Sequence, residues 1–107
     1  MRPALVRQSF ADQDGNPWVE VVYGTSKDPF DKGYQNFAIT SMVEMNLAGL
    51  LRATRFRLDR AVQLPWASEY FVPRLPFPTP VIGRLSDHMI KLLQMQIAYY
   101  QRSIEER

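Results

Sequence analysis

The chain has 107 residues, of which 46% are hydrophobic and 12% aromatic, and 13 Lys and Arg residues stand against 11 Asp and Glu residues. A disordered chain would be poorer in aromatic and aliphatic residues, so we expect one folded domain over residues 1–107. The sequence has no Cys and a single His, which excludes disulfides, thiolate zinc sites and sites with several histidines. We therefore expect no metal and no other cofactor.

The apolar runs of the chain are short. Residues 47–51 form one of the longest, far below the roughly 20 residues that span a bilayer. The N-terminal apolar stretch is interrupted by Arg7, which is not typical of a signal peptide. We expect a cytoplasmic protein that does not contact a membrane.

The N-terminal half of the chain predicts strands. Residues 3–8 begin as an apolar run, residues 18–24 are rich in β-branched and aromatic side chains, and the turn residues of segment 11–17 predict an exposed loop between them. A polar loop follows at residues 26–34, and residues 36–40 predict a short strand. Residues 41–48 mix helical and loop character and are assigned to neither class.

The middle of the chain predicts a bent strand and then an irregular connection. Residues 50–64 contain no Gly or Pro and alternate imperfectly, which favours one long bent strand or two strands meeting at a bulge near Asp59. Four prolines fall within residues 73–80, which excludes a helix or a central strand there.

The C-terminal segment is the clearest element. Ser86 is a suitable helix N-cap, and apolar residues then repeat at spacings of three and four, namely Ile90, Leu93, Ile97, Tyr100 and Ile104. This pattern predicts one amphipathic helix over about residues 87–105 that packs on the sheet. Strands followed by one terminal helix favour a mainly β fold, either a small barrel or a strongly bent antiparallel sheet, with one C-terminal α-helix.

The cations are concentrated in one place. Ten of the thirteen are Arg, and four of these lie within residues 52–60. Arg binds phosphate through a planar fork of donors, so the cluster indicates an anionic ligand. The alternative is an ordinary charged face, in which these arginines form ion pairs with carboxylates such as those of Glu20, Glu44 and Asp59.

Four pieces of the chain, in order, resemble the MazF/PemK family of bacterial toxin components. They are residues 2–6 (Arg-Pro-Ala-Leu-Val), 21–26 (Val-Val-Tyr-Gly-Thr-Ser), 49–54 (Gly-Leu-Leu-Arg-Ala-Thr) with its continuation to residue 64, and 82–86 (Ile-Gly-Arg-Leu-Ser). Together they cover nearly the whole chain. Family members carry a first strand and a Gly-rich loop before the Arg-Pro motif, so either the start of this sequence was assigned too late or the chain is a relative shortened at its N-terminus.

The resemblance implies a fold, an activity and partners. The fold would be a small SH3-like barrel. The protein would be the toxin of a type II toxin-antitoxin system. Its activity would be that of an mRNA interferase, a metal-independent endoribonuclease that cleaves single-stranded RNA. Cleavage would proceed by attack of the ribose 2′-OH and would leave a cyclic phosphate. The implied partners are single-stranded RNA, a second copy of the chain, and a cognate antitoxin protein whose acidic tail occupies the RNA groove.

The resemblance also assigns roles to residues. Arg2 matches the phosphate-binding and catalytic Arg of the family, and Thr25 matches its catalytic Thr. Arg52 matches an Arg used by PemK-type members, and Thr54 stands where those members have a catalytic Asp. A Thr hydroxyl has no usable basicity near pH 7, so we expect a slower reaction, or a relative that binds an antitoxin or nucleic acid without cleaving it.

The residues themselves suggest how such a site would be built. Residues 52 and 54 are two apart on the expected strand, so both side chains should leave one face about 6.6 Å apart. Arg55 and Arg57 are expected to contact the RNA. Thr25 could instead cap a turn beside Gly24.

The expected surface also favours self-association. A shortened barrel would leave the strand of residues 3–8 with unpaired backbone groups, and Tyr99, Tyr100 and the Met residues exceed what one helix face needs. We therefore expect a homodimer.

Overall fold

The structure is a computed structural model, and it describes residues 2–67, 70–71 and 80–105. Its elements in chain order are β1 (Ala4–Ala11), β2 (Pro17–Thr25), β3 (Asn36–Ile39), α1 (Met42–Ala48), β4 (Thr54–Pro65) and α2 (Asp87–Glu105). The strands form one antiparallel sheet in the order β1-β2-β4-β3, which curls into a half-barrel. The expected mainly β fold, a strongly bent sheet with one C-terminal helix, is confirmed.

The sheet bends at β4. Its beginning pairs with β3 on one side and with the end of β2 on the other, where Gly24 lies opposite Phe56. Its second half pairs with β2, starting at Ala61, which lies opposite Val22. On the β2 side, residues 57–60 of β4 are therefore opposed by Tyr23 alone. Extra residues in one strand of a pair bend that strand and increase its twist. Of the two predicted alternatives, one long bent strand is confirmed, and its pairing with β2 is irregular around Asp59.

Two strand boundaries differ by more than one residue from the sequence-based prediction. β1 continues to Ala11, because the pairing with β2 shifts between Val6 and Gln8 and resumes beyond the shift. β4 begins at Thr54, since residues 50–53 form a bend after the end of α1. The predicted connection over residues 73–79 lies outside the described residues.

The core lies between the sheet and the two helices. Its buried members are Val22, Phe37, Ile39, Met45, Leu50, Phe56, Leu58, Met89 and Leu93. The predicted apolar stripe of α2 was wrong at both ends. At its start, Met89 is buried, whereas the predicted Ile90 is 40% exposed. At its end, the predicted Ile104 is 46% exposed. Ile97 and Tyr100 pack against the core as expected.

The ambiguous segment 41–48 is a short helix with both ends capped. The Ser41 side chain accepts a hydrogen bond from the Glu44 N–H, and the helix ends at Gly49, whose φ of 75° is left-handed. Gly49 also touches the segment before α2, where a Cβ would lie 2.2 Å from the Ile82 carbonyl oxygen. The end of α1 and the approach to α2 are thus held together by backbone contact.

Gly49→Ala should therefore destabilise the fold more than Gly15→Ala. Both glycines have positive φ, so each substitution carries strain of about 1–2 kcal/mol. Only at Gly49 does the new Cβ also meet backbone, whereas nothing lies within 4 Å at Gly15. Urea unfolding of both variants measures the difference, and equal losses of unfolding free energy would contradict the close packing of α1 on residues 82–83.

Candidate functional site

Two of the predicted functional residues lie side by side on adjacent strands, and a third lies just before β1. Thr25, the last residue of β2, pairs with Arg55 of β4. The Gly24 N–H donates a hydrogen bond to the Pro3 carbonyl at 2.8 Å, and continuing this register places Arg2 beside Thr25. We call Arg2, Thr25 and Arg55 the cross-strand row.

The cross-strand row lies on the face of the sheet that points away from the core. Residues that are directly opposite in an antiparallel pair share a face, and side chains alternate along each strand. Gly24 and Phe56, which neighbour the row, face the core, so Thr25 and Arg55 face outward. Arg2 is exposed, and the other two are half-buried.

The Thr25 hydroxyl makes one structural hydrogen bond and keeps its own hydrogen as a donor. Its hydroxyl oxygen accepts a hydrogen bond from the Lys27 N–H at 3.1 Å, which confirms the turn-capping interpretation. A hydroxyl has one donor hydrogen besides its two acceptor lone pairs, so this bond leaves the O–H of Thr25 available to a ligand. Capping and ligand binding are compatible at this position.

Arg55 attaches the following loop to the sheet. Its Nε donates to the Lys27 carbonyl at 2.9 Å, and its Nη1 donates to Asn36 Oδ1 at 3.0 Å. The Asn36 amide in turn donates to Asp31 Oδ1 at 3.0 Å, and the same oxygen accepts the Gly33 N–H at 2.9 Å. Arg55 therefore positions loop 26–35, and a guanidinium with five donors keeps others for an anion.

Loop 26–35 carries functional groups that the sequence analysis did not single out. Phe30 is 72% exposed and Tyr34 is 60% exposed, and Lys27 and Lys32 are exposed on the same loop. Exposed aromatic rings combined with cations are typical of surfaces that bind single-stranded nucleic acid. The signal in the sequence was the pairing of aromatic residues with lysines in an otherwise polar loop.

Arg57 forms an ion pair on the bend of β4. Its Nε and Nη2 donate to the two carboxylate oxygens of Asp59 at 2.9 and 2.6 Å. Hydrogen bonding to Arg57 lowers the pKa of Asp59, and the same bonds raise the pKa of Arg57. The ion-pair interpretation is confirmed for this residue, so RNA would have to compete with Asp59 for it.

Arg52 and Thr54 do not share a strand face, so the predicted separation of about 6.6 Å on one face is wrong. The cap at Gly49 diverts the chain into a bend, and Arg52 lies in that bend with an exposed side chain. Thr54 is 4% exposed, and its hydroxyl donates to the Arg52 carbonyl at 2.9 Å. The Thr54 hydroxyl is thus committed to the backbone, and only Arg52 can reach a ligand.

Among residues 2–67, 70–71 and 80–105, no three acidic or histidine side chains come close enough together to form a metal site. Within the same ranges, neither helix has the length and hydropathy that crossing a membrane requires.

The chain matches no protein-family model, no curated protein and no solved structure. The likeness to MazF/PemK proteins therefore stays a prediction from the four sequence motifs. Motif 2–6 and motif 21–26 lie next to each other through the bond between Pro3 and Gly24. Motif 49–54 ends at Thr54, which touches the position where a Cβ of Gly24 would be.

Arg57→Ala should raise the pKa of Asp59 and weaken the acid dependence of stability. Because the folded-state pKa of Asp59 is lowered, the ion pair stabilises the fold at pH values above the unfolded-state pKa of about 3.9. That stabilisation is lost as pH falls through the lower folded-state pKa. Urea unfolding as a function of pH and an NMR titration of Asp59 measure both effects, with Arg102→Ala as control. An unchanged Asp59 titration in Arg57→Ala would contradict the assignment.

Proposed function

We propose that this protein is an endoribonuclease toxin of the MazF/PemK kind, which cleaves single-stranded RNA without a metal ion. The cross-strand row is the observation that carries the proposal. By backbone register, it brings one arginine to each side of a threonine at the end of β2, and arginines in such a position can bind a phosphate group. The four sequence motifs support the same conclusion.

In the proposed reaction, the ribose 2′-oxygen attacks the adjacent phosphorus while the bond from phosphorus to the 5′-oxygen breaks. The products are a 2′,3′-cyclic phosphate and a free 5′-OH, so the 2′-OH loses one proton and the 5′-oxygen gains one. Arg2, which is exposed, stabilises the charge on the pentacoordinate phosphorus, and Thr25 donates a hydrogen bond that orients a phosphate oxygen. Arg52, exposed in the bend before β4, takes the second stabilising role that the resemblance gives it. Because the row holds no carboxylate, the 2′-OH proton passes to water, water supplies the proton that the leaving 5′-oxygen gains, and the reaction is slow.

Neighbouring groups would hold the RNA and the antitoxin. Arg55 keeps loop 26–35 in place, so that Phe30 and Tyr34 stack on unpaired bases. An acidic antitoxin tail would occupy the same cations and thereby exclude RNA. The working form is a homodimer.

A second function, RNA or antitoxin binding without cleavage, is favoured by Thr54. PemK-type members have a catalytic Asp at this position, whereas here the side chain is buried and its hydroxyl is bonded to the Arg52 carbonyl. A relative that lost the carboxylate would keep the cationic surface and bind nucleic acid without general-base assistance.

Arg2→Ala and Arg52→Ala should each slow RNA cleavage by a factor on the order of 10² or more, because each removes a cation from the reacting phosphate. The assay is cleavage of a long unstructured RNA in EDTA, with the new 3′ ends tested for cyclic phosphate. The control is Arg102→Ala, which removes a cation from α2, where Arg102 lies over the Tyr99 ring. Circular dichroism checks that each variant remains folded.

The same samples separate the two functions. Intact RNA together with binding that weakens with salt, at a slope of about −0.7 per neutralised phosphate, would support the binding relative. Intact RNA with no binding at low salt would contradict both functions. Cleavage that disappears in EDTA would contradict the metal-independent mechanism.

A further inference from the structure

A polar cavity of about 390 Å³ lies where the chain enters β3. Its volume falls within the range of about 300–1,000 Å³ that is typical of small-ligand sites. None of the residues that line it belongs to the cross-strand row. We call this cavity the β3-entry pocket, and it is lined by Gly33, Tyr34, Gln35, Asp59, Tyr100 and Ser103.

Three parts of the fold form the walls of the β3-entry pocket. The end of loop 26–35 forms one wall, and the bend of β4 forms the second, where the Leu58 N–H donates to the Gln35 carbonyl at 2.6 Å. The last turns of α2 form the third wall, and the Gln96 amide of α2 donates to the Tyr34 carbonyl at 3.0 Å. Because these bonds attach the loop to both neighbours, the pocket exists in the free protein.

Several polar side chains of the pocket are not used by the fold. Within the described residues, the Gln35 amide and the hydroxyls of Tyr100 and Ser103 form no hydrogen bond with another protein group. All three side chains are half-buried. The Gln35 amide lies close to Gly33, where a Cβ would be 2.7 Å from Gln35 Nε2. A few polar groups that converge on one cavity and lack protein partners are typical of a ligand site.

Asp59 gives the pocket its charge. Its side chain is 27% exposed, and its two oxygens accept hydrogen bonds from Arg57 at 2.9 and 2.6 Å. The same bonds lower the pKa of Asp59, so the carboxylate is ionised at neutral pH and only accepts hydrogen bonds. An ionised carboxylate has about four lone-pair sites, so Asp59 keeps some of them for a ligand. That ligand must bring hydrogen-bond donors.

These groups together suit a flat ring that carries both donors and acceptors on its edge. The Asp59 carboxylate accepts from N–H groups, whereas the Gln35 amide and the two hydroxyls can donate to ring or carbonyl acceptors. Tyr34 lines the pocket and is 60% exposed, so its ring is available for stacking. Proteins bind unpaired RNA bases in this way, by stacking on an aromatic ring and by hydrogen bonds to the base edge.

Among the four RNA bases, guanine matches the pocket best. Its Watson–Crick edge carries two N–H donor groups, at N1 and at the N2 amine, next to the O6 acceptor. Adenine, cytosine and uracil each carry one N–H donor group on that edge. Since the charged group of the pocket only accepts hydrogen bonds, it favours the base with the most donors, and Gln35 can donate to O6.

We propose that the β3-entry pocket binds a guanine base of the RNA strand whose phosphate lies on the cross-strand row. The inference rests on the proposed function of the row and adds the base that the protein selects. Asp59 follows Arg55 by four residues on β4, at most about 13 Å along the strand. One short stretch of RNA can therefore occupy both sites.

Loop 26–35 connects the two sites physically. Arg55 bonds to the Lys27 carbonyl at the start of the loop and to Asn36 just after it, and the residues at the end of the loop line the pocket. A base held in the pocket would therefore fix the position of the strand relative to Arg55. Base selection and phosphate positioning are then coupled through one restrained loop.

Binding of 2′-O-methyl oligonucleotides tests the base preference. The strands are uridine hexamers of equal charge in which one central position is guanine, adenine, cytosine or uracil. We expect the guanine strand to bind about tenfold more tightly than the others, as for one specific base contact. NMR amide shifts at Gly33 and Gln35 should accompany binding of the guanine strand, together with shifts at Thr25 and Arg55.

Asp59→Asn tests the role of the carboxylate, with Asp87→Asn as a matched control. Both variants remove one negative charge, and Asp87 lies in the first turn of α2, at the opposite end of the helix from Ser103. Asp59→Asn also releases Arg57, which strengthens binding of every strand, so the measured quantity is the ratio of guanine-strand to adenine-strand affinity. We expect this ratio to fall toward one in Asp59→Asn and to stay about tenfold in Asp87→Asn.

The outcomes separate this inference from the proposed function. Equal affinities of the wild type for all strands, with shifts at Thr25 and Arg55, would overturn the inference and leave the proposed function intact; this comparison needs no variant to fold. No binding of any strand at low salt would contradict the proposed function and the inference together. An unchanged ratio in Asp59→Asn would overturn the assignment of Asp59. Guanosine monophosphate binding as tightly as the guanine strand would overturn RNA as the source of the base.

Discussion

The close approach of β2 and β4 at Gly24 is the contact on which the rest of the site depends. A Cβ at this position would lie 2.6 Å from Thr54 Cγ2 and 2.8 Å from the Phe56 ring, so no larger residue fits without displacing one of them. Because Gly24 leaves this space, Phe56 fills the core and β4 runs directly beside the end of β2. Thr25 then faces outward next to Arg55, and the Gly24 N–H draws Pro3 and its neighbour Arg2 into the same row.

The surface around this row is held by polar contacts rather than by packing. Arg55, Asn36 and Asp31 link loop 26–35 to the sheet through hydrogen bonds of 3.0 Å between successive side chains. Asn36 is 5% exposed, and a buried amide of this kind is costly unless it is bonded. The network therefore restrains the aromatic loop while Arg2 and Arg52 stay exposed. Exposed aromatic rings combined with exposed cations are a suitable arrangement for binding a flexible, charged nucleic-acid strand.

Structural features that are set by neighbouring residues could be predicted from the sequence, whereas features that depend on long-range contacts could not. The bounds of α2 followed from apolar spacing and an N-cap, although the buried position at its start is Met89 and not Ile90. The bend of β4 was visible as broken alternation near Asp59. The arrangement of residues 52 and 54 was predicted wrongly, because a left-handed cap at Gly49 ends α1 and delays the strand. The network around Arg55 could not be predicted, since it joins residues up to 28 positions apart whose proximity arises only from the fold.

Binding of an RNA analogue that cannot be cleaved tests the central claim most directly, because it separates the location of the site from the rate of the chemistry. A single-stranded oligonucleotide with 2′-O-methyl riboses is titrated into isotope-labelled protein, and backbone amide shifts are followed by NMR. We expect the shifts to cluster at Thr25, Arg55 and loop 26–35 and to spare the exposed face of α2. Shifts confined to α2, or no shifts at low ionic strength, would contradict it.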